Sequence, residues 1–163
     1  MFFDPARPDI PIPDAVDLVV EVDHMIAICA GQRFSRIEVM RREALEEAAR
    51  SGHELTDVVE RGVRLELATA LRITEHAAGE LMALAETLVH RYPTVLASLT
   101  RAGITERHTR ILVEALETLE PAQRDALLPR LLALAEAEPV GTFRRALRRL
   151  VDAAHTETLT QRH

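Results

Sequence analysis

Lysine and tryptophan are absent from these 163 residues, cysteine occurs once, and aromatic side chains make up only 3% of the chain. Each shortage closes a class of explanation. A lone Cys29 excludes an internal disulfide and a paired-cysteine zinc site; inside an apolar helical run it reads as a small buried hydrophobe. So few rings leave Leu, Ala, Val and Ile to build the core, and Ala and Leu head the helix scale. All 20 basic residues are Arg, which together with heavy Ala use reflects GC-rich coding more than function. No stretch approaches the roughly 18 uninterrupted apolar residues of a membrane helix. The opening "MFFDPARPDIPIPDA" has acids and prolines where a secretion signal needs a basic start and an apolar run. The expectation is a soluble, cytoplasmic protein with no membrane partner.

What is present is a hydrophobic content of 47%, enough to fold as one domain, and a net charge of −6. That charge argues against a protein coated all over by nucleic acid or anionic lipid. It is unevenly spread. Residues 1–62 carry 13 acidic and 7 basic side chains, residues 63–141 carry 11 and 8, and residues 142–163 carry 2 and 5. Only the C-terminal end is basic.

Residues 1–13 hold four of the eight prolines and read as an unstructured lead-in; residues 14–163 read as a single helical domain. Asp14 is the expected cap of a long first helix reaching about Arg50, with Gly31 a candidate kink. Val16, Val19, Ile26, Ala30, Ile37, Met40 and Ala44 make one apolar stripe, and Leu18, Val22, Met25 and Cys29 a second. A helix with two apolar faces needs cover on both sides. Asp23 falls within the first stripe, as an acid at the helix edge, one paired with Arg, or a functional buried acid. Ser51 with Glu54 fits a capping box. Further helices are expected over 56–72, from the cap Thr74 to about Arg91, from Thr94 to a left-handed Gly103, and from the cap Thr105. Pro121 opens the next, Pro129 breaks or kinks it, and Thr142 caps the last. Nothing alternates like a strand, so the fold class is all-α: a long N-terminal helix on a multi-helix bundle with helix-turn-helix-like hairpins.

Catalytic patterns are missing: there is no Gly-rich phosphate loop and no HExxH. The seven histidines (24, 53, 76, 90, 108, 155 and 163) include no pair at helical spacing. The pairs Glu86/His90 and His76/Glu80 supply two ligands each, whereas a catalytic zinc site needs three and a structural one four. No enzyme activity, metal or cofactor is expected. The turn in "LRITEHAAGELMALAETL" has helix-turn-helix spacing, but the positions that would meet DNA are Glu75, His76, Gly79 and Glu80, and acids repel phosphate. The turn in "LASLTRAGITERHTRILVEAL" is better charged, with Arg101, Arg107, His108 and Arg110. In "FRRALRRL", Phe143, Ala146, Leu147 and Leu150 turn inward while Arg144, Arg145, Arg148 and Arg149 turn outward. Four guanidiniums within two turns suit phosphates, and they equally suit the protein's own carboxylates.

The run "RLELATALRITEHAAGELMALAETLVHRYPTVLASLTRAGITERHTRILVEALETL", followed by "FRRALRRLVDAAHTETLTQRH", resembles the actinobacterial domain of unknown function 222, the N-terminal region of HNH-endonuclease-like proteins. The likeness covers roughly residues 15–163, with Ala97, Leu99, Gly103, Ile104 and His108 its most specific part. It implies a DNA-associated accessory domain, or a truncated remnant, lacking the nuclease module. Glu75 and Glu80 depart from the family's more basic helix and shift the expected phosphate contacts to Arg144, Arg145, Arg148 and Arg149, with Arg107, His108 and Arg110 a second patch. The alternative is a protein-interaction or oligomerisation domain, a homodimer through the two-faced N-terminal helix.

Overall fold

The computed structural model describes residues 12–52 and 55–161. Most of the proline-rich lead-in, together with His53, Glu54 and His163, therefore lies outside the described residues. Among the described residues seven helices follow in order: α1 (Ala15–Arg50), α2 (Thr56–Leu71), α3 (Glu75–His90), α4 (Pro93–Thr100), α5 (Glu106–Leu116), α6 (Pro121–Ala137) and α7 (Val140–Gln161). No strand occurs among the described residues, and the fold is all-α. α1 packs on α2, α3 and α4; α5 packs on α6 and α7; contacts of α5 with α4 and α1 join the two groups. None of these helices is long and apolar enough to cross a membrane.

The helix starts follow from side-chain caps. Asp14 accepts from the N–H groups of Val16 and Asp17 while Asp17 accepts from Asp14, a reciprocal capping box. Thr74 accepts from Ala77, and Thr105 from His108. Ser51 ends α1 as its C-cap rather than opening α2, which begins at Thr56 without a side-chain cap. The helix α7 starts at Val140, ahead of the expected cap Thr142. Pro129 neither ends nor divides α6, because it lies on an exposed face where water can serve the carbonyl it leaves unpaired. The left-handed residue after α4 is Ala102 (φ 60°), not Gly103. Ala102 N–H donates to Leu99 and Gly103 N–H to Ser98, the paired bonds of a Schellman turn.

Two glycines are explained by space instead. A Cβ on Gly103 would lie 2.8 Å from Ser98 Oγ, and one on Gly31 would lie 2.5 Å from Thr100 Oγ1 and 3.0 Å from its Cα. Gly31 sits inside an unbroken helix and lets the backbones of α1 and α4 meet. Gly31→Ala should cost about 1–3 kcal/mol by forcing the helices apart, although Ala is the better helix former by about 1 kcal/mol. A urea midpoint equal to or above that of the parent would show that α1 and α4 separate freely.

The inner part of α1 buries Ala27, Ala30, Phe34, Ile37 and Glu38, and the core continues through Leu88, Tyr92, Leu99, Leu112, Leu131 and Phe143. The outer part is different. From Ala15 to Ile26 every residue is exposed, including Val16 and Val19 at 68% and Ile26 at 61%. Cys29 is exposed rather than buried, because its stripe faces away from the bundle, and Asp23 is a solvated acid. Neither apolar stripe is covered over the first three turns.

Candidate nucleic-acid interface

α7 places its arginines by its period. Phe143, Leu147, Val151 and Ala154 recur at three- and four-residue steps and are buried against α5 and α6. Arg144, Arg145, Arg148 and Arg149 therefore turn to solvent, and all four are exposed. Several of the bundle's other arginines behave differently. Arg33, Arg41, Arg91, Arg101 and Arg110 each bond a carboxylate, whereas among the described residues the four on α7 form no ion pair. The polar contact of the set is Arg145 with the Thr142 hydroxyl at 3.5 Å. Asp152, one turn on, is the single acid near them on the helix, and it too is exposed.

A groove of about 400 Å³ runs between α5 and α7 beside this face. Ile111, Ala115, Leu147 and Val151 contribute apolar lining, with Arg144, Arg148 and Glu114 among the polar residues around it. Arg107 is exposed and stands one turn ahead of Ile111 on the same side of α5. The arginines that line the groove itself, Arg144 and Arg148, both belong to α7. The sequence carried the signal for this groove in Arg107, Ile111, Glu114, Ala115 and Thr118, which fall on one helical face, but not which helix would lie opposite.

His108 does not belong to this surface. It is buried, with Nδ1 2.9 Å from Thr105 Oγ1 and Nε2 3.0 Å from the Glu138 carbonyl oxygen, and its ring packs 5.5 Å from that of Phe143. It ties the start of α5 to the α6–α7 turn, and neither ring nitrogen is left for a phosphate. Arg110 is exposed but held by Glu106 at 2.7 Å, and Glu106 also takes Arg33 at 2.9 Å. Both arginines lie over the Phe34 ring, at 5.9 and 5.5 Å. Arg101 is paired with Glu136, which also accepts from Ser98. The second turn therefore offers Arg107 alone as an unpaired cation among its expected contacts.

The first turn is acidic at its surface. Glu75, His76 and Glu80 are exposed at the start of α3, with His76 Nε2 3.4 Å from Glu80. The Glu86/His90 pair is split between two other partners. His90 Nε2 lies 2.7 Å from the buried Glu38, and Glu86 takes Arg41 at 2.6 Å. Arg41 also bonds Glu38 at 3.0 Å and Glu60 at 2.7 Å, so one guanidinium joins α1, α2 and α3. Burial alone raises the Glu38 carboxyl, but hydrogen bonds from Arg41 and His90 outweigh it and hold the group below its ordinary value of 4.5. Just past this end of α3, buried Tyr92 donates to Glu117, which Arg91 and Arg124 also face. Burial first, and then that bond to a carboxylate, push the Tyr92 phenol up to about 12. These clusters brace the fold. Among the described residues, no group of three or more His, Cys, Asp or Glu is placed to hold a metal ion.

No family model, curated protein or solved structure matches this chain.

Proposed function

We propose that this chain is a non-catalytic helical module that associates with nucleic acid through the arginine face of α7, an accessory domain of the kind that its resemblance to domain of unknown function 222 implies. One observation carries the reading. In an acidic protein, Arg144, Arg145, Arg148 and Arg149 stand exposed together within two turns of one helix, none of them in an ion pair among the described residues. Unpaired guanidiniums on one rigid helix suit a phosphate backbone, and the apolar floor of the adjoining groove suits sugars or a partner side chain.

Binding to duplex DNA should be weak, sequence-tolerant and steep in salt, because each neutralised phosphate releases condensed counterions. With about four contacts, log K against log salt should slope near −3 to −4, at roughly −0.9 per phosphate. Replacing the four arginines of α7 by Gln should flatten the slope and leave the thermal midpoint unchanged, since their heads lie in solvent. Glu75→Gln with Glu80→Gln should leave binding unchanged, because the α3 start is a separate, acidic surface. An absence of binding at low salt, or a quadruple variant that binds like the parent, would remove the reading.

A further inference from the structure

The outer half of α1 is a completed helix that the subunit does not support. Its N-terminus is closed by the Asp14/Asp17 capping box, yet every residue from Ala15 to Ile26 is exposed. Four of these twelve are Val and one is Ile, β-branched residues that lose side-chain freedom in a helix. A stretch of this length and composition is marginal in water and takes its stability from packing on an apolar face. Around the helix, Val16, Val19 and Val20 extend the line of the buried residues Ala27 and Phe34, while Leu18, Val22, Met25 and Cys29 form the neighbouring line. Asp17, Glu21 and His24 occupy the remaining arc. The line through Leu18, Val22, Met25 and Cys29 gives a neighbouring helix an apolar stripe to pack on.

We propose that a second copy of this chain covers this surface, the two α1 helices running antiparallel about a two-fold axis near Met25 and Ile26. Charge sets the direction. Residues 14–26 carry Asp14, Asp17, Glu21 and Asp23 and no base, whereas Arg33 and Arg36 stand exposed two to three turns further on. Antiparallel pairing lays the acidic half of each helix over the basic half of the other; parallel pairing stacks acid on acid. Arg36 is exposed and forms no ion pair among the described residues. The floor for the visiting helix is present as well. A groove of about 370 Å³, lined by Val22, Met25, Ile26, Cys29 and Ala30, ends at the Arg33–Glu106 ion pair. A two-fold gives each copy the same groove and the same visiting helix, so the contact closes at two. This pairing is independent of the α7 arginines.

Sedimentation equilibrium of the full chain tests it. The expected result is a reversible monomer–dimer equilibrium that stops at the dimer. Val22→Glu with Met25→Glu should weaken it about a hundredfold, as truncating central anchors does, while the melting midpoint stays that of the parent measured below its dimer midpoint. The native thiol gives a measurement that needs no substitution. Cys29 should react with an aromatic disulfide reagent about tenfold more slowly at concentrations above the dimer midpoint than below it. Arg36→Glu should weaken the dimer, and adding Ala15→Arg, at the position opposite residue 36 about that axis, should restore it by reversing the charges of the contact. A monomer at every concentration, growth beyond two copies, Cys29 reactivity independent of concentration, or no rescue by the charge exchange would overturn the proposal. So would a monomer that floats with neutral phosphatidylcholine vesicles, which would assign the face to lipid. A dimer lost in the Arg144/Arg145/Arg148/Arg149→Gln chain but kept in Val22→Glu/Met25→Glu would overturn it too, since the contact would then lie at α7.

Discussion

Arg41→Ala should lower the stability of the fold by about 3–5 kcal/mol, the cost of leaving a buried charge without its partner. Glu38 is 2% exposed, and Arg41 holds it with Nε and Nη2 while Nη1 reaches Glu60 and Nη2 also reaches Glu86. Truncating the arginine strands Glu38 with His90 as its remaining bonded neighbour and removes the ion pair between α1 and α2. Glu60 and Glu86 are 39% and 52% exposed, so water can take over their share of the loss. The damage should therefore concentrate on Glu38, and Glu38→Met with Arg41→Met should recover most of it, as apolar replacements of buried pairs often do.

Acid separates this explanation from a simple loss of packing. In the parent the Glu38 carboxyl lies below its ordinary value of 4.5, so its contribution is present above that value and fades as pH falls through the lowered one. In Arg41→Ala the opposing influence, burial, prevails and raises the carboxyl. The penalty is then largest at neutral pH and is relieved as the group protonates. The gap in unfolding free energy between parent and variant should narrow from pH 7 to pH 4 in urea titrations. A gap of constant size would mean that Arg41 matters only for the volume of its stem.

Glu38 also marks where the sequence stopped being legible. Its spacing from Ala30, Gly31 and Phe34 puts it on the buried side of α1, and Arg41 lies three residues on. The acid singled out by pattern was instead Asp23, which occupies the same stripe but belongs to the half of the helix with nothing beside it. Periodicity gives the face a residue occupies, whereas burial depends on which neighbour that face meets. The caps Asp14, Thr74 and Thr105 were readable because one side chain and the next three residues determine them. Gly103 was not, since its reason is Ser98 and its surroundings rather than a left-handed backbone. The outward turn of the α7 arginines followed from the inward turn of Phe143 and Leu147. The removal of His108 from that site depended on the α6–α7 turn folding back over it, a long-range contact that no local pattern encodes.

Phe143→Ala should cost about 3–5 kcal/mol, the range for emptying a fully buried aromatic site, and should weaken duplex binding without touching an arginine. Phe143 is completely buried in the first turn of α7 and packs at 51° to the His108 ring, which is itself tied to Thr105 and to the Glu138 carbonyl. α7 packs on α5 and α6, so this corner anchors the end of the helix that carries Arg144 and Arg145. Emptying it leaves a cavity beside the His108 ring and lets that end fray. His108→Ala should behave like Phe143→Ala, at about 1–3 kcal/mol, because it leaves the Glu138 carbonyl short of a donor in a part-buried turn. The two routes to weaker binding then differ in a measurable way. The four arginine-to-Gln changes reduce the salt slope at full stability, whereas Phe143→Ala and His108→Ala lower the melting midpoint first. At temperatures where each variant is still folded, both should retain the parent slope. A His108→Ala chain of unchanged midpoint whose salt slope fell by about one, the loss of a single phosphate contact, would return His108 to the binding surface and require the α6–α7 turn to open when nucleic acid arrives.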